Sequence, residues 1–307
     1  MKRSTHTLLY IVGALAIVSI GLYTTSLTKG NKWVIVKGTA PQDMKIGAVT
    51  ERYNYDFDSA KKFRARNGRF SRVMFLNPGK VYALCIPGEY GFASFSRCDF
   101  FVDGNTATFN VTGIMDNYDI ENISESPLNV AYNDYLKKRD EYLDSLELED
   151  PIGEIYWSDQ EMLTEEYLEL SRKLGEETIT RAEIDSITKK MDIMTKDGSS
   201  LNQKGREYKE LLLKSDKRSL DYDRAHIEDL PFGLASFDIL VDAMYDSFEV
   251  DYDVHFWADY YRQKYELKFV ECNLHSAADR IMLRKGFYLQ DRSAVRAARR
   301  TGRQEKR

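Results

Sequence analysis

Up to about residue 125 the chain reads as short apolar runs broken by turn residues. KWVIVKG (32–38), GRFSRVMF (68–75), KVYALCIP (80–87), CDFFVD (98–103) and TATFNVTG (106–113) are rich in β-branched and aromatic residues. Asn67-Gly68, Asn77-Pro78-Gly79, Pro87-Gly88 and Asp103-Gly104-Asn105 separate them. Several short strands at that spacing predict an antiparallel β-sandwich or open barrel. Beyond residue 125 the period changes to three and four. Ser126-Pro127 starts a helix that carries Leu128, Ala131, Tyr135, Tyr142 and Leu146 on one side. The capping box Ser158-Asp159-Gln160-Glu161 leads into Leu163, Tyr167, Leu170 and Leu174 and stops at Gly175. A second box at Thr180-Arg181-Ala182-Glu183 leads into Ile184, Ile187, Met191 and Met194, ending near Gly198. Further helices are predicted over 202–228 and 232–248, on either side of Pro231.

The N-terminus has a pattern of its own. After Lys2 and Arg3 no charged residue occurs from Ser4 through Thr28, and LLYIVGALAIVSIGLY, from Leu8 to Tyr23, is almost wholly apolar. A basic start followed by such a run is an export signal or a single-pass anchor whose N-terminus stays in the cytoplasm. The uncharged window is long enough to cross a bilayer, which takes about 20 helical residues, and no good A-x-A cleavage site follows it. The expectation is a chain held by Leu8 to Tyr23 with its bulk on the periplasmic side. Secretion after cleavage is the alternative.

Composition excludes more than it identifies. The 307 residues are 43% hydrophobic and 30% charged, enough for folded cores and unlike a disordered chain. The formal net charge is -5, while residues 280–307 hold ten basic residues against Asp291 and Glu305. The acidic balance therefore sits in the body, which argues against a nucleic-acid-binding domain. The basic end reads as a solvated tail. Cys85, Cys98 and Cys272 show no C-x-x-C spacing, and His6, His226, His255 and His275 are scattered, so no metal cluster is legible. A Cys85–Cys98 disulfide and two buried free thiols both fit the sequence. Neither a G-x-S-x-G elbow nor a glycine-rich phosphate loop is present. The acidic groups Glu147, Glu149, Asp150 and Glu165, Glu166, Glu169 read as solvated helix faces rather than acid–base pairs. Asn110-Val111-Thr112 and Asn122-Ile123-Ser124 match the glycosylation sequon, which matters only in a eukaryotic secretory route. Twenty Tyr and 15 Phe leave one functional hint, an aromatic surface for a glycan or peptide.

DSAKKFRARNGRF (58–70), NPGKVYAL (77–84), DFFVDGNTATFNVTG (99–113) and SPLNVAYNDYLKKRDEY (126–142) occur in this order. Pro231-Phe232-Gly233-Leu234-Ala235-Ser236-Phe237 follows them. The series resembles envelope thiol-disulfide interchange proteins of the thioredoxin-like, cytochrome-maturation type, in the β-rich domain of unknown function and the helical segment that precede their catalytic domain. The resemblance implies an exported accessory half. It carries no catalytic residue over, because the C-x-x-C pair of the family has no counterpart here. DVHFWADYYRQK (253–264) spells part of a thioredoxin active-site run, with Tyr261 and Lys264 where the cysteines would stand. Its apolar residues Val254, Trp257, Ala258, Tyr261, Tyr265, Phe269 and Cys272 recur at helical spacing, so it reads as one face of a packed helix.

The fold expected is α+β: an N-terminal membrane-spanning or signal helix over 1–32, a β-sandwich over 33–122, a mostly α-helical region over 123–290 and a basic tail over 291–307. The function expected is a non-catalytic, membrane-tethered extracytoplasmic protein with an accessory or binding role toward an envelope partner. The alternatives are a thiol-disulfide redox protein using Cys85 and Cys98, and a glycan- or peptide-binding surface module. No catalytic residue, cofactor or metal is assigned.

Overall fold

A computed structural model describes residues 30–115, 117–146, 159–175 and 179–287. The run 8–23 expected to be an anchor and the basic tail 291–307 lie outside them. Among the described residues no helix is long and apolar enough to cross a membrane. The chain is mixed α+β, with eight strands preceding all the described helices. The strands are β1 (Lys32–Thr39), β2 (Ile46–Glu51), β3 (Lys61–Arg64), β4 (Arg69–Leu76), β5 (Val81–Gly88), β6 (Gly91–Phe101), β7 (Thr106–Ile114) and β8 (Asn117–Asn122). The helices are α1 (Pro127–Asp144), α2 (Asp159–Met162), α3 (Glu165–Leu174), α4 (Arg181–Asp197), α5 (Gln203–His226), α6 (Leu234–Val250), α7 (Val254–Lys264) and α8 (Leu274–Arg284).

The strands form two four-stranded sheets, ordered β4-β1-β7-β8 and β3-β2-β5-β6. Alternate residues of both turn inward onto one core: Val34 and Val36 of β1, Met74 and Leu76 of β4, Phe109 and Val111 of β7, Leu84 and Ile86 of β5, and Phe100 of β6. One ladder departs from the antiparallel expectation. β1 pairs parallel with β7, with Gly38 opposite Phe109, because β2 to β6 intervene in sequence and return the chain to the same side. Strands β2, β3 and β8 add three rungs that the apolar runs alone did not mark, since IGAVTE, KKFR and NYDIEN are short or mostly polar.

The chain divides into two compact units. The first joins residues 30–135 to 226–248 and 253–287, so the strands share it with stretches from both ends of the region expected to be helical. The reason is legible in β5, where Val81 to Ile86 are buried without alternation. A strand covered on one face only would alternate. One face of β5 meets the sandwich core and the other meets helices. Two asparagines make this join specific. Asn129 of α1 accepts from Phe101 N at 3.0 Å and donates to Phe101 O at 2.8 Å. Asn273, before α8, accepts from Val81 N at 3.0 Å and donates to Val81 O at 2.9 Å. Val81 and Phe101 face each other across β5 and β6, so two side-chain amides complete the outward backbone groups of one rung.

α7 is the helix predicted from DVHFWADYYRQK. It buries Trp257, Ala258 and Tyr261, and Tyr261 OH donates to Asp279 Oδ1 at 2.9 Å. The periodic face was expected to run on to Cys272, but the helix ends at Lys264 and Phe269 takes φ +44. Tyr265 and Cys272 are buried from turns rather than from that helix, and Phe269 is half-buried.

The second unit holds residues 136–146, 159–175, 179–225 and 249–252. Its helices are amphipathic and mostly solvated. The box at Thr180 forms as predicted, with Glu183 N donating to Thr180 Oγ1 and Thr180 N to Glu183 Oε2. Gly198 ends α4 in the left-handed region at φ +78. The helix expected to run from Ser158 to Leu174 is instead broken after Met162, because Leu163 forms a bridge with Leu201 and Thr164 restarts the helix as an N-cap. Arg139 and Asp223 form a buried-edge ion pair at 3.2 Å.

Candidate anion-binding cleft

Residues 61–72 read KKFRARNGRFSR, six cations and no acid in twelve residues. The local fold turns this run into a surface. Asn67 and Gly68 both take positive φ, +52 and +72, the signature of a two-residue hairpin turn of type I′. Arg66 and Arg69 bridge across it, with Arg66 N donating to Arg69 O at 2.8 Å. Strands β3 and β4 leave the turn with Phe63 and Phe70 buried and stacked at 4.6 Å. The cations between those rings stay exposed.

A cleft of about 1060 Å³ opens here. Lys37, Lys62, Arg64, Arg66, Arg69 and Arg72 line it, and all six are exposed. Ile46, Phe63, Phe70, Phe109 and Ile123 supply apolar wall. Thr39, Ser71 and Thr108 supply hydroxyls. Among the described lining residues there is no Asp or Glu, and none of the six cations is ion-paired within the described residues. Lys62 Nζ does lie 6.0 Å from the Phe92 ring. Gly38 is required at the wall. A Cβ there would stand 2.2 Å from Phe109 O and 2.7 Å from Phe70 Cζ. Concentrated positive charge without compensation repels itself, and an anion bound there would relieve that repulsion. Guanidinium groups favour phosphate, sulfate or carboxylate through paired hydrogen bonds.

The other charged cluster is closed. Arg52 follows β2 with 1% of its side chain exposed, and it meets Asp99 at 2.7 Å, Asp238 at 3.0 Å and Asp242 at 2.6 Å. Tyr53 OH donates to Asp242 and Tyr132 OH to Asp238. Three carboxylates surround one buried guanidinium, which holds the Arg52 proton more firmly than usual because their attraction outweighs burial. Burial raises the Asp99 carboxyl to about 7, the neighbouring Asp238 and Asp242 charges adding to it and Arg52 opposing them. This is an internal tie within the first unit rather than a ligand site, since neither Arg52 nor Asp238 reaches solvent.

Cys85 and Cys98 lie on neighbouring strands, but the register sets Cys85 opposite Arg97 and Cys98 opposite Leu84. Leu84 and Cys98 turn to the sandwich core, and Cys85 turns to the other face. Both thiols are free, and burial pushes each up to about 12. The hairpin between them turns at Glu89-Tyr90, the turn that Pro87-Gly88 announced. Beside the core rings, the aromatic residues form a half-buried cluster of Tyr55, Phe57, Phe92 and Phe95, in which Phe57 and Phe92 stack at 4.3 Å, while Trp33, Tyr90, Phe232 and Tyr245 are exposed.

Of the six cleft cations the sequence singles out only Arg69, in Asn67-Gly68-Arg69, as part of a hairpin turn rather than a ligand loop. The net acidity of the body masked them, although a count over residues 61–72 alone would have exposed the run. Asn67-Gly68-Arg69 forms the predicted hairpin turn, and that turn gathers the charge. Comparison with protein-family models, with curated proteins and with solved structures found no match to this chain.

Proposed function

We propose that this chain is a non-catalytic, membrane-tethered protein with its bulk outside the cytoplasm, whose β-unit binds an acidic ligand in the cationic cleft. The observation that carries the reading is the set of six exposed cations, unpaired within the described residues, over an apolar wall in a chain of net charge -5. The tether is supported by the uncharged run 8–23 behind Lys2 and Arg3. The resemblance to the non-catalytic half of thiol-disulfide interchange proteins supports an accessory role in the envelope. Of the alternatives, a glycan or peptide module is retained in acidic form, because neutral ligands would leave the charge unanswered. A redox role for Cys85 and Cys98 has little support, since the thiols face apart and are held protonated.

The test uses the full chain in nanodiscs of neutral phosphatidylcholine, titrated with polyphosphate and with a sulfated oligosaccharide. Binding that weakens as salt rises is expected, along with at least a tenfold loss in the triple variant Arg64→Glu, Arg66→Glu, Arg69→Glu. A neutral oligosaccharide should not bind. No binding of either polyanion, or binding indifferent to charge reversal, removes the reading.

A further inference from the structure

We infer that the outer face of strands β4 and β1 is a membrane-docking face, and that the acid its cations meet is the phosphate layer of an anionic bilayer. This deepens the proposed function and rests on it.

The outward positions of β1 and β4 read in pairs across the ladder. Trp33 stands opposite Phe75 and Ile35 opposite Val73, followed by Lys37 opposite Ser71 and Thr39 opposite Arg69. Trp33, Ile35 and Val73 are 42%, 41% and 56% exposed, and the Trp33 and Phe75 rings lie 4.6 Å apart. Their inward neighbours Val34, Val36 and Met74 already serve the core. The apolar patch is therefore surplus to folding. Along the strands it passes within two rungs into the cations of the cleft. A tryptophan with aliphatic neighbours, flanked by lysine and arginine, is the composition that settles at a lipid headgroup boundary.

Two further observations name the occupant as the membrane. The chain enters β1 at its apolar end, at Lys32 and Trp33, and only residues 24–31 separate that point from the apolar run 8–23. Fully extended, that linker reaches no more than roughly 30 Å, so a β-unit tethered there is kept within that distance of the bilayer surface. The charge on the sheet is also lopsided. Acidic outward residues, Asp119 and Glu121, sit on β8, at the edge opposite β4. The β4–β1 side complements an anionic surface and the β8 side is turned away from it. A soluble acidic polymer would satisfy the cations but would have no use for Trp33, Ile35 and Val73.

The experiment reads tryptophan quenching by lipids brominated on the acyl chain. Full-length protein is placed in nanodiscs of phosphatidylcholine alone or with phosphatidylglycerol, and wild type is compared with Trp33→Phe. Quenching is expected in anionic discs, with the difference between the two proteins assigning it to Trp33. Arg66→Glu with Arg69→Glu should raise the phosphatidylglycerol content needed for it severalfold. Equal quenching in wild type and Trp33→Phe, at unchanged thermal stability, overturns the inference. If that result accompanies intact polyphosphate binding, the ligand is a soluble acid and the proposed function stands. Should alkaline washing remove the chain from membranes, the tether is wrong. Trp33 quenching by added anionic vesicles then still decides for docking, and its absence against it.

Discussion

Arg52 donates through Nε to Asp238 Oδ1 at 3.0 Å, tying the end of β2 to α6 across 186 residues of sequence with both side chains buried. The guanidinium also donates through Nη2 to Asp242 at 2.6 Å and forms an ion pair with Asp99 at 2.7 Å, and together these contacts weld α6 to the sheet. Removing the cation leaves those acids buried without compensation, whereas removing one acid leaves two. Arg52→Met should therefore cost about 3–5 kcal/mol, the range for breaking a buried ion pair, and Asp238→Asn less. Urea denaturation of the two variants measures this. A cost for Arg52→Met under about 1 kcal/mol would show that the cluster carries no stability.

Asp99 makes the same cluster sensitive to pH. Its carboxyl is raised to about 7 in the fold, chiefly by burial, against about 3.9 in an unfolded chain. Between those values the folded protein holds a proton that the unfolded chain has released. Stability from this group is therefore full below about pH 4 and is lost as pH rises toward 7. The slope is at most about 1.4 kcal/mol per pH unit. Unfolding free energies at pH 4.5, 5.5 and 6.5 should show wild type losing ground to Asp99→Asn with each step. A constant difference between the two proteins would refute the assignment.

The cysteines should be silent in the native state. Burial raises Cys85, Cys98 and Cys272 each to about 12, so the thiolate that reacts is scarce at neutral pH. Iodoacetamide at pH 8 should label none of the three within minutes and all three in guanidinium, as mass spectrometry would record. Rapid native labelling of Cys85 would reopen the redox alternative.

Gly38 tests the parallel ladder behind the cleft. An added methyl must displace both Phe109 O and the Phe70 ring, an overpacking cost of about 1–3 kcal/mol. Gly38→Ala should lower the denaturation midpoint and weaken polyanion binding together. Loss of binding at unchanged stability would mean that the residue acts on the ligand directly.

Local signals in the sequence specified the local elements. The runs around Val34, Met74, Leu84, Phe100 and Phe109 became strands, Thr180 and Glu183 closed their box, and Asn67-Gly68 made its turn. Trp257 and Tyr261 took a buried helical face, because period and turn chemistry act over a few residues. What depends on distant pairing was settled by the fold. β1 meets β7 in parallel because of the order in which the chain returns, and α6 belongs with the sheet because Asp238 and Arg52 must share one buried site. Cys85 and Cys98 face apart because register, not spacing, sets the face of a strand. The cleft stands between the two cases. Its arginines and two of its wall rings, Phe63 and Phe70, were written together in residues 61–72, but Lys37, Ile46, Phe109 and Ile123 came from elsewhere in the chain. A net charge summed over the chain hides a charge that folding gathers into one place.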